Sequence, residues 1–149
     1  MPVELKRILL VEDSPNDAEL TVAALRDGGI ANPVDVARDG AEALDYLHRR
    51  GPQAGRAPGN PALVLLDLKL PKVSGIEVLE GIKADSTLRT TPVVVLTSSR
   101  EERDIVGSYD LGVNAYVVKP VGFADFTRAV RDLGLFWAVL NEVPQPRHA

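Results

Sequence analysis

The sequence predicts an α/β fold in which five short parallel strands alternate with helices as a doubly wound (βα)5 sandwich. Three observations predict it. Apolar runs recur at Ile8 to Val11, Val34 to Ala37, Leu63 to Leu66, Val93 to Leu96 and Tyr116 to Val118. Their apolarity is continuous rather than alternating, as expected of parallel strands covered by helices on both faces. At 149 residues, the chain can bury one substantial core but is short for two ordinary domains or an eight-fold barrel.

Taken in order, each strand leads toward a helix. After the first run, Ser14 precedes Pro15, a residue suited to the first helical position, and Ala18, Val22 and Leu25 follow at helical spacing. Ser14 with Asp17, Asp39 with Glu42, Ser74 with Glu77 and Ser99 with Glu102 share one pattern. A short side-chain oxygen precedes an acid by three positions, so two orphaned backbone donors can be satisfied at each helix start. Phe126, Val130, Leu133 and Trp137 give the last helix its apolar stripe. Parallel neighbours need right-handed crossovers, which put helices on both faces. Gly51 to Pro61 holds three glycines and three prolines and reads as a long surface loop before the third strand.

Composition narrows the function. Hydrophobic residues form 45% of the chain and charged residues 26%, the balance of a folded globular domain. A net charge of -4 argues against a nucleic-acid partner, which would call for a clustered basic face. No apolar run approaches the roughly 18 residues of a membrane span, and the opening MPVELK lacks a signal-peptide core. The expected location is therefore cytoplasmic, with no membrane partner. Absence of cysteine excludes disulfides, thiolate metal sites and thiol nucleophiles.

In open parallel sheets, ligands bind at the carboxyl ends of the strands. Here the first strand runs into Glu12 and Asp13, the third into Asp67, the fourth into Thr97 and Ser98, and the fifth into Lys119 and Pro120. Each residue alone has an ordinary reading as a cap or solvated loop residue. Together they predict one site. Three converging carboxylates need a compensating cation, and an all-oxygen set suits Mg²⁺ before Ca²⁺. An aspartate carboxylate can attack phosphorus, which makes Asp67 the candidate nucleophile. Lys119 and the Thr97 hydroxyl are candidate donors to phosphoryl oxygens.

These motifs resemble the receiver domains of two-component response regulators: V-E-D in the first loop, L-L-D-L-K-L-P-K-V-S-G in the third, L-T-S in the fourth and Y-V-V-K-P in the fifth. The resemblance covers about residues 6 to 135, and implies a flavodoxin-like strand order of 2-1-3-4-5. The expected organisation is one receiver domain over residues 1–149, with residues 136–149 as a C-terminal extension. By resemblance, Asp67 accepts phosphate from a sensor histidine kinase, while Asp13, Asp67 and the backbone carbonyl of Lys69 ligate Mg²⁺ and Glu12 acts mainly through water. The family usually has an aspartate where this chain has Glu12. Thr97 and Tyr116 match the switch pair, and Lys119 and Pro120 match a Lys-Pro step that is typically cis. The opening ILLVEDSPNDAEL, the Pro/Gly-rich loop and the closing LGLFWAVLNEVP are similar to single-domain regulators paired with phytochrome-type kinases, so a bacteriophytochrome is among the expected partners.

Signal output is expected through contacts, because little chain follows the fifth helix. Phe136, Trp137, Leu140 and their apolar neighbours exceed what one helical face can bury, which predicts a homodimer through this end. The competing fate is that Phe136 and Trp137 fold back over their own domain. A haloacid-dehalogenase-like phosphatase would need an aspartate two positions after the nucleophile, where Lys69 stands. A pseudo-receiver would lack the acids, the acceptor or the lysine, all of which are present. The expectation is a phosphoacceptor switch, not a turnover enzyme. His48 and His148 have no ligand spacing, and Arg49 and Arg50 read as a solvated helix end.

Overall fold

Strands β1 (Ile8–Val11), β2 (Val34–Ala37), β3 (Leu63–Asp67), β4 (Val93–Thr97) and β5 (Tyr116–Val118) pair in parallel in the order β2-β1-β3-β4-β5. This is the doubly wound topology expected from the sequence. The computed structural model describes residues 6–27, 30–56, 59–70, 73–97, 115–122, 124–126 and 128. Its helices are α1 (Pro15–Asp27), α2 (Gly40–His48) and α3 (Gly75–Ala84). The Ser99 cap and the C-terminal residues Phe136, Trp137 and Leu140 lie outside the described residues, as does His148.

Continuous apolarity in the central strands has a direct cause. Successive side chains point to opposite faces, and both faces are covered. Ile8 and Leu10 join Leu63, Leu65, Leu25 and Phe126 in one core, while Leu9 and Val11 join Val64, Leu66, Val78 and Ile82 in the other. Every residue of β1, β3 and β4 is buried. The edge strand β2 departs from the expected continuity, because Asp35 interrupts it and Val36 is exposed. Asp35 is charged for a reason: the Arg7 guanidinium donates to it twice, at 2.6 and 2.8 Å, and the Tyr46 hydroxyl donates at 2.6 Å. Burial opposes ionisation of Asp35, but Arg7 and Tyr46 outweigh it and hold the carboxyl below its ordinary range.

The helix starts follow the capping pattern unevenly. At α3 the box is complete: Ser74 accepts from the Glu77 amide and Glu77 accepts from the Ser74 amide. At α2, Asp39 accepts from the Glu42 amide at 2.7 Å, but Glu42 reaches the Arg38 amide instead. At α1, Ser14 accepts from the Asp17 amide at 3.2 Å. The return bond comes from elsewhere, since Glu12 accepts from the Ser14 amide and the Asp17 carboxylate turns to Lys119. The aspartate lacks the extra methylene that lets a glutamate fold back to its cap, and an ammonium lies within its reach.

The Pro/Gly-rich loop begins with a 3-10 turn at Gly51–Gln53. It is tied down by Arg56, whose guanidinium stacks 4.2 Å from the Tyr46 ring centroid and donates to the Tyr46 carbonyl. Arg49 and Arg50 are exposed but engaged, which corrects their reading as merely solvated. Arg49 donates to the Arg56 carbonyl and Arg50 to Asp45. His48 is exposed, with Nδ1 3.7 Å from Asp85. No helix among the described residues is long and apolar enough to cross a membrane.

Candidate functional site

Register places the chemistry. Asp67 pairs with Leu96 and Thr97 with Val118, so β3, β4 and β5 end beside one another with Thr97 one step beyond Asp67 on the next strand. Lys119 follows β5 directly, and its backbone amide donates to the Thr97 carbonyl at 2.8 Å. The base of the lysine stem is thereby fixed to β4. The peptide between Lys119 and Pro120 is cis.

Carboxylate oxygens of Glu12, Asp13 and Asp67 lie within 4.8 Å of one another. Glu12 and Asp67 are buried, and Asp13 is exposed at the mouth. Asp13 opens on a cleft of about 580 Å³ between α1 and β2. The donor set is entirely oxygen, which fits a hard divalent cation and is a poor match for zinc.

The two buried carboxylates are held at both oxygens. Asp67 accepts from the Lys69 amide at 3.1 Å through Oδ1, and from the Lys119 ammonium at 3.1 Å through Oδ2. Glu12 accepts from the Ser14 amide at 3.3 Å and from Lys119 at 2.8 Å. Burial pushes the Glu12 carboxyl up to about 7, with Lys119 opposing and the like charge of Asp67 reinforcing the rise. For Lys119, burial favours the neutral amine, but Glu12, Asp67 and Asp17 prevail and hold its pKa above the ordinary lysine range.

Thr97 is fully buried, and its hydroxyl has no hydrogen-bond partner among the described residues. A buried orphan hydroxyl is costly, which makes it a ready donor to a group arriving beside it. Tyr116, on the next strand, is half-buried against the core that contains Val95. Lys69 follows Asp67 at the carboxyl end of β3 and contributes its amide.

Two glycines let the loop carrying Asp67 close down. A Cβ on Gly75 would stand 2.5 Å from the Asp67 carbonyl oxygen and 2.6 Å from Leu68 Cα. On Gly40 it would stand 2.0 Å from the Val73 carbonyl oxygen. The N-termini of α2 and α3 are thus packed against this loop at contact distances that exclude any side chain. Sequence reasoning passes over Gly40, and it places Asp17 in a cap without its ion pair, because nothing in the local sequence brings Asp17 next to Lys119.

A family model for the response regulator receiver domain matches residues 8–131. Response regulator Rcp1 of Synechocystis sp. is 42% identical over 139 residues, spanning 93% of this chain and 93% of that protein. The structure of the bacteriophytochrome response regulator AtBRR superposes with a TM-score of 0.89 at 62% identity, covering 94% of this chain and all of that one. The phosphorylated cyanobacterial phytochrome response regulator RcpA aligns with a TM-score of 0.71 at 44% identity, covering 89% of this chain and 94% of that one. Rcp1 has also been solved in a Mn²⁺-bound form, with a TM-score of 0.70 at 40% identity, covering 95% of this chain and 99% of that one.

Proposed function

This chain belongs to the response regulator receiver domain family, and from that premise we propose that it is a phosphorylation switch whose acceptor is Asp67. The observation that carries the reading is the Lys119 ammonium held between Glu12 and Asp67 at the carboxyl edge of the sheet. That is where a transferred phosphoryl group would need both a nucleophile and a countercharge.

An Asp67 carboxylate oxygen attacks phosphorus of a phosphohistidine on a sensor kinase. The new P–O bond forms as the P–N bond breaks, and the histidine leaves. Lys119 turns one N–H toward a phosphoryl oxygen, and the Thr97 hydroxyl donates to another. Tyr116 follows Thr97 inward. Glu12, Asp13, Asp67 and the Lys69 carbonyl would hold Mg²⁺, which supplies charge neutralisation for the incoming phosphoryl group. The role is that of a stoichiometric acceptor, not of an enzyme with a separate substrate.

The likeness to bacteriophytochrome response regulators supports a phytochrome-type histidine kinase as the donor. We further propose that the chain acts as one receiver unit in the cytoplasm, without binding nucleic acid or membrane. Its homodimer contact would come from residues 136–149, with Phe136, Trp137 and Leu140 as anchors. Light scattering across a concentration series tests the dimer, and a strict monomer in both phosphorylation states would overturn it.

The acceptor is tested by incubation with acetyl phosphate and Mg²⁺ followed by intact-mass measurement. The wild type gains one phosphoryl group and Asp67→Asn gains none. Equal gain in the variant, or no gain in the wild type, overturns the reading.

A further inference from the structure

One contact of the acidic cluster lies outside the strand ends. Lys119 Nζ is 3.1 Å from Oδ2 of Asp17, a residue in the first turn of α1. An ammonium has three N–H donors, and Glu12, Asp67 and Asp17 each stand within hydrogen-bond reach of Nζ. The three acceptors are unequal. The Glu12 and Asp67 side chains are 1% and 6% exposed, whereas that of Asp17 is 42% exposed.

We propose that Asp17 is a positioning residue for Lys119, an outer latch that holds the ammonium in the unphosphorylated protein and releases it when Asp67 carries a phosphoryl group. The inference rests on reading Asp67 as the acceptor. Phosphorylation of Asp67 frees one lysine donor, but a phosphoryl dianion has three strong acceptor oxygens. The Thr97 hydroxyl meets one of them, and as the ammonium shifts toward another, the contact that gives way is the one to Glu12 or the one to Asp17. Withdrawing the ammonium from Glu12 strips a buried carboxylate of its cation, which is costly. Asp17 returns to water at little cost because it is already half hydrated.

Release has a consequence at the surface. Asp17 and Lys119, in contact with each other, line one cleft of about 240 Å³ together with Leu20, Thr21, Pro120 and Val121. With the ammonium withdrawn, the α1 side of this cleft gains an uncompensated negative charge. Its electrostatic character therefore reports the state of Asp67.

The test compares Asp17→Asn with Glu19→Gln, which removes an equal charge from α1 at an exposed position. Asp17→Asn keeps the backbone amide that Ser14 caps, and thermal melts establish that each variant is folded. Beryllofluoride with Mg²⁺, titrated by calorimetry, is the phosphoryl probe. Asp17→Asn binds it about two- to fivefold tighter than wild type, the size expected of an exposed ion pair. Glu19→Gln binds it as wild type does. The advantage of Asp17→Asn disappears near about 0.5 M salt, where screening already loosens the wild-type latch. A merely structural effect on α1 would persist in salt. The Lys119 ammonium resonance, recorded without metal or beryllofluoride, shifts in Asp17→Asn and not in Glu19→Gln.

An unchanged or weakened affinity in Asp17→Asn, an equal gain in Glu19→Gln, a gain that survives high salt, or an unmoved Lys119 resonance overturns the latch while leaving Asp67 as acceptor. If the wild type binds beryllofluoride no better than Asp67→Asn, the acceptor reading fails and the latch falls with it.

Discussion

Lys119 Nζ lies 3.1 Å from Asp67 Oδ2, across 52 positions of sequence. The contact exists because β4 sits between β3 and β5 and fixes both strand ends, with the Thr97 carbonyl holding the Lys119 amide. Asp67 is buried, so its negative charge needs a partner supplied by the fold. A single ammonium serves it and Glu12 together.

Lys119→Met therefore takes the cation from buried Asp67, while Glu12, already raised to about 7 with Lys119 in place, takes up a proton. The variant loses roughly 3 kcal/mol of stability at neutral pH in the absence of divalent metal. Urea unfolding monitors the loss. Added Mg²⁺ restores more stability to this variant than to wild type, because the metal takes over the charge compensation that Lys119 supplied.

Glu12→Gln has the opposite effect. Burial raises the Glu12 carboxyl from 4.5 to about 7. Below pH 4.5 both states hold the proton; between there and 7 the unfolded chain loses it while the folded protein retains it, so stability falls as pH rises through this window. Metal-free Glu12→Gln lacks that slope and is more stable than wild type at pH 8 by on the order of 1 to 3 kcal/mol. Denaturation at a series of pH values follows the gap, which closes in acid.

Much of this was legible in the sequence, for reasons visible in particular residues. The ILLV, LVLL and VVVL runs are continuous because Leu9 and Leu10, or Val64 and Leu65, enter cores on opposite faces of the sheet. Strand ends could be read because apolarity stops at Glu12, Asp67 and Thr97. Asp17 was hidden by its own cap, since its amide satisfies the local pattern while its side chain serves a partner 102 positions away. Asp35 stands in plain view in the second run, VDVA, but its partners Arg7 and Tyr46, which let an edge strand carry the charge, are not visible from the local sequence. Gly40 was silent because its close neighbour, Val73, belongs to another loop.

Gly75→Ala should cost more than an ordinary surface change. Its Cβ meets backbone of Asp67 and Leu68, which cannot rotate away as a side chain could. The expected loss is about 1 to 3 kcal/mol, with slower phosphorylation as the Asp67 loop is displaced. Gly55→Ala, where an added Cβ meets nothing within 4 Å among the described residues, stays within about 0.5 kcal/mol of wild type. Chemical denaturation and acetyl phosphate kinetics on the two variants check both statements.

Tyr46 gives an alkaline signature. Burial and the bond to Asp35 push its hydroxyl up to about 12. The folded state then keeps a proton that the unfolded chain loses near 10, so this contribution is complete below pH 10 and disappears as pH rises through 12. Tyr46→Phe is less stable than wild type at pH 8, by about 1 kcal/mol for the lost hydrogen bond to a carboxylate. The difference narrows above pH 10, and ultraviolet titration of the wild type shows one tyrosine ionising late.

The most direct measurement locates the phosphoryl group. Protein treated with acetyl phosphate and Mg²⁺ is reduced with borohydride, which converts an aspartyl phosphate to homoserine, and is then sequenced by tandem mass spectrometry. Homoserine at position 67, with no reduced side chain at Glu12, Asp13 or Asp17, is the predicted result. Homoserine in place of Asp13 or Asp17, or none anywhere, would contradict the assignment of Asp67.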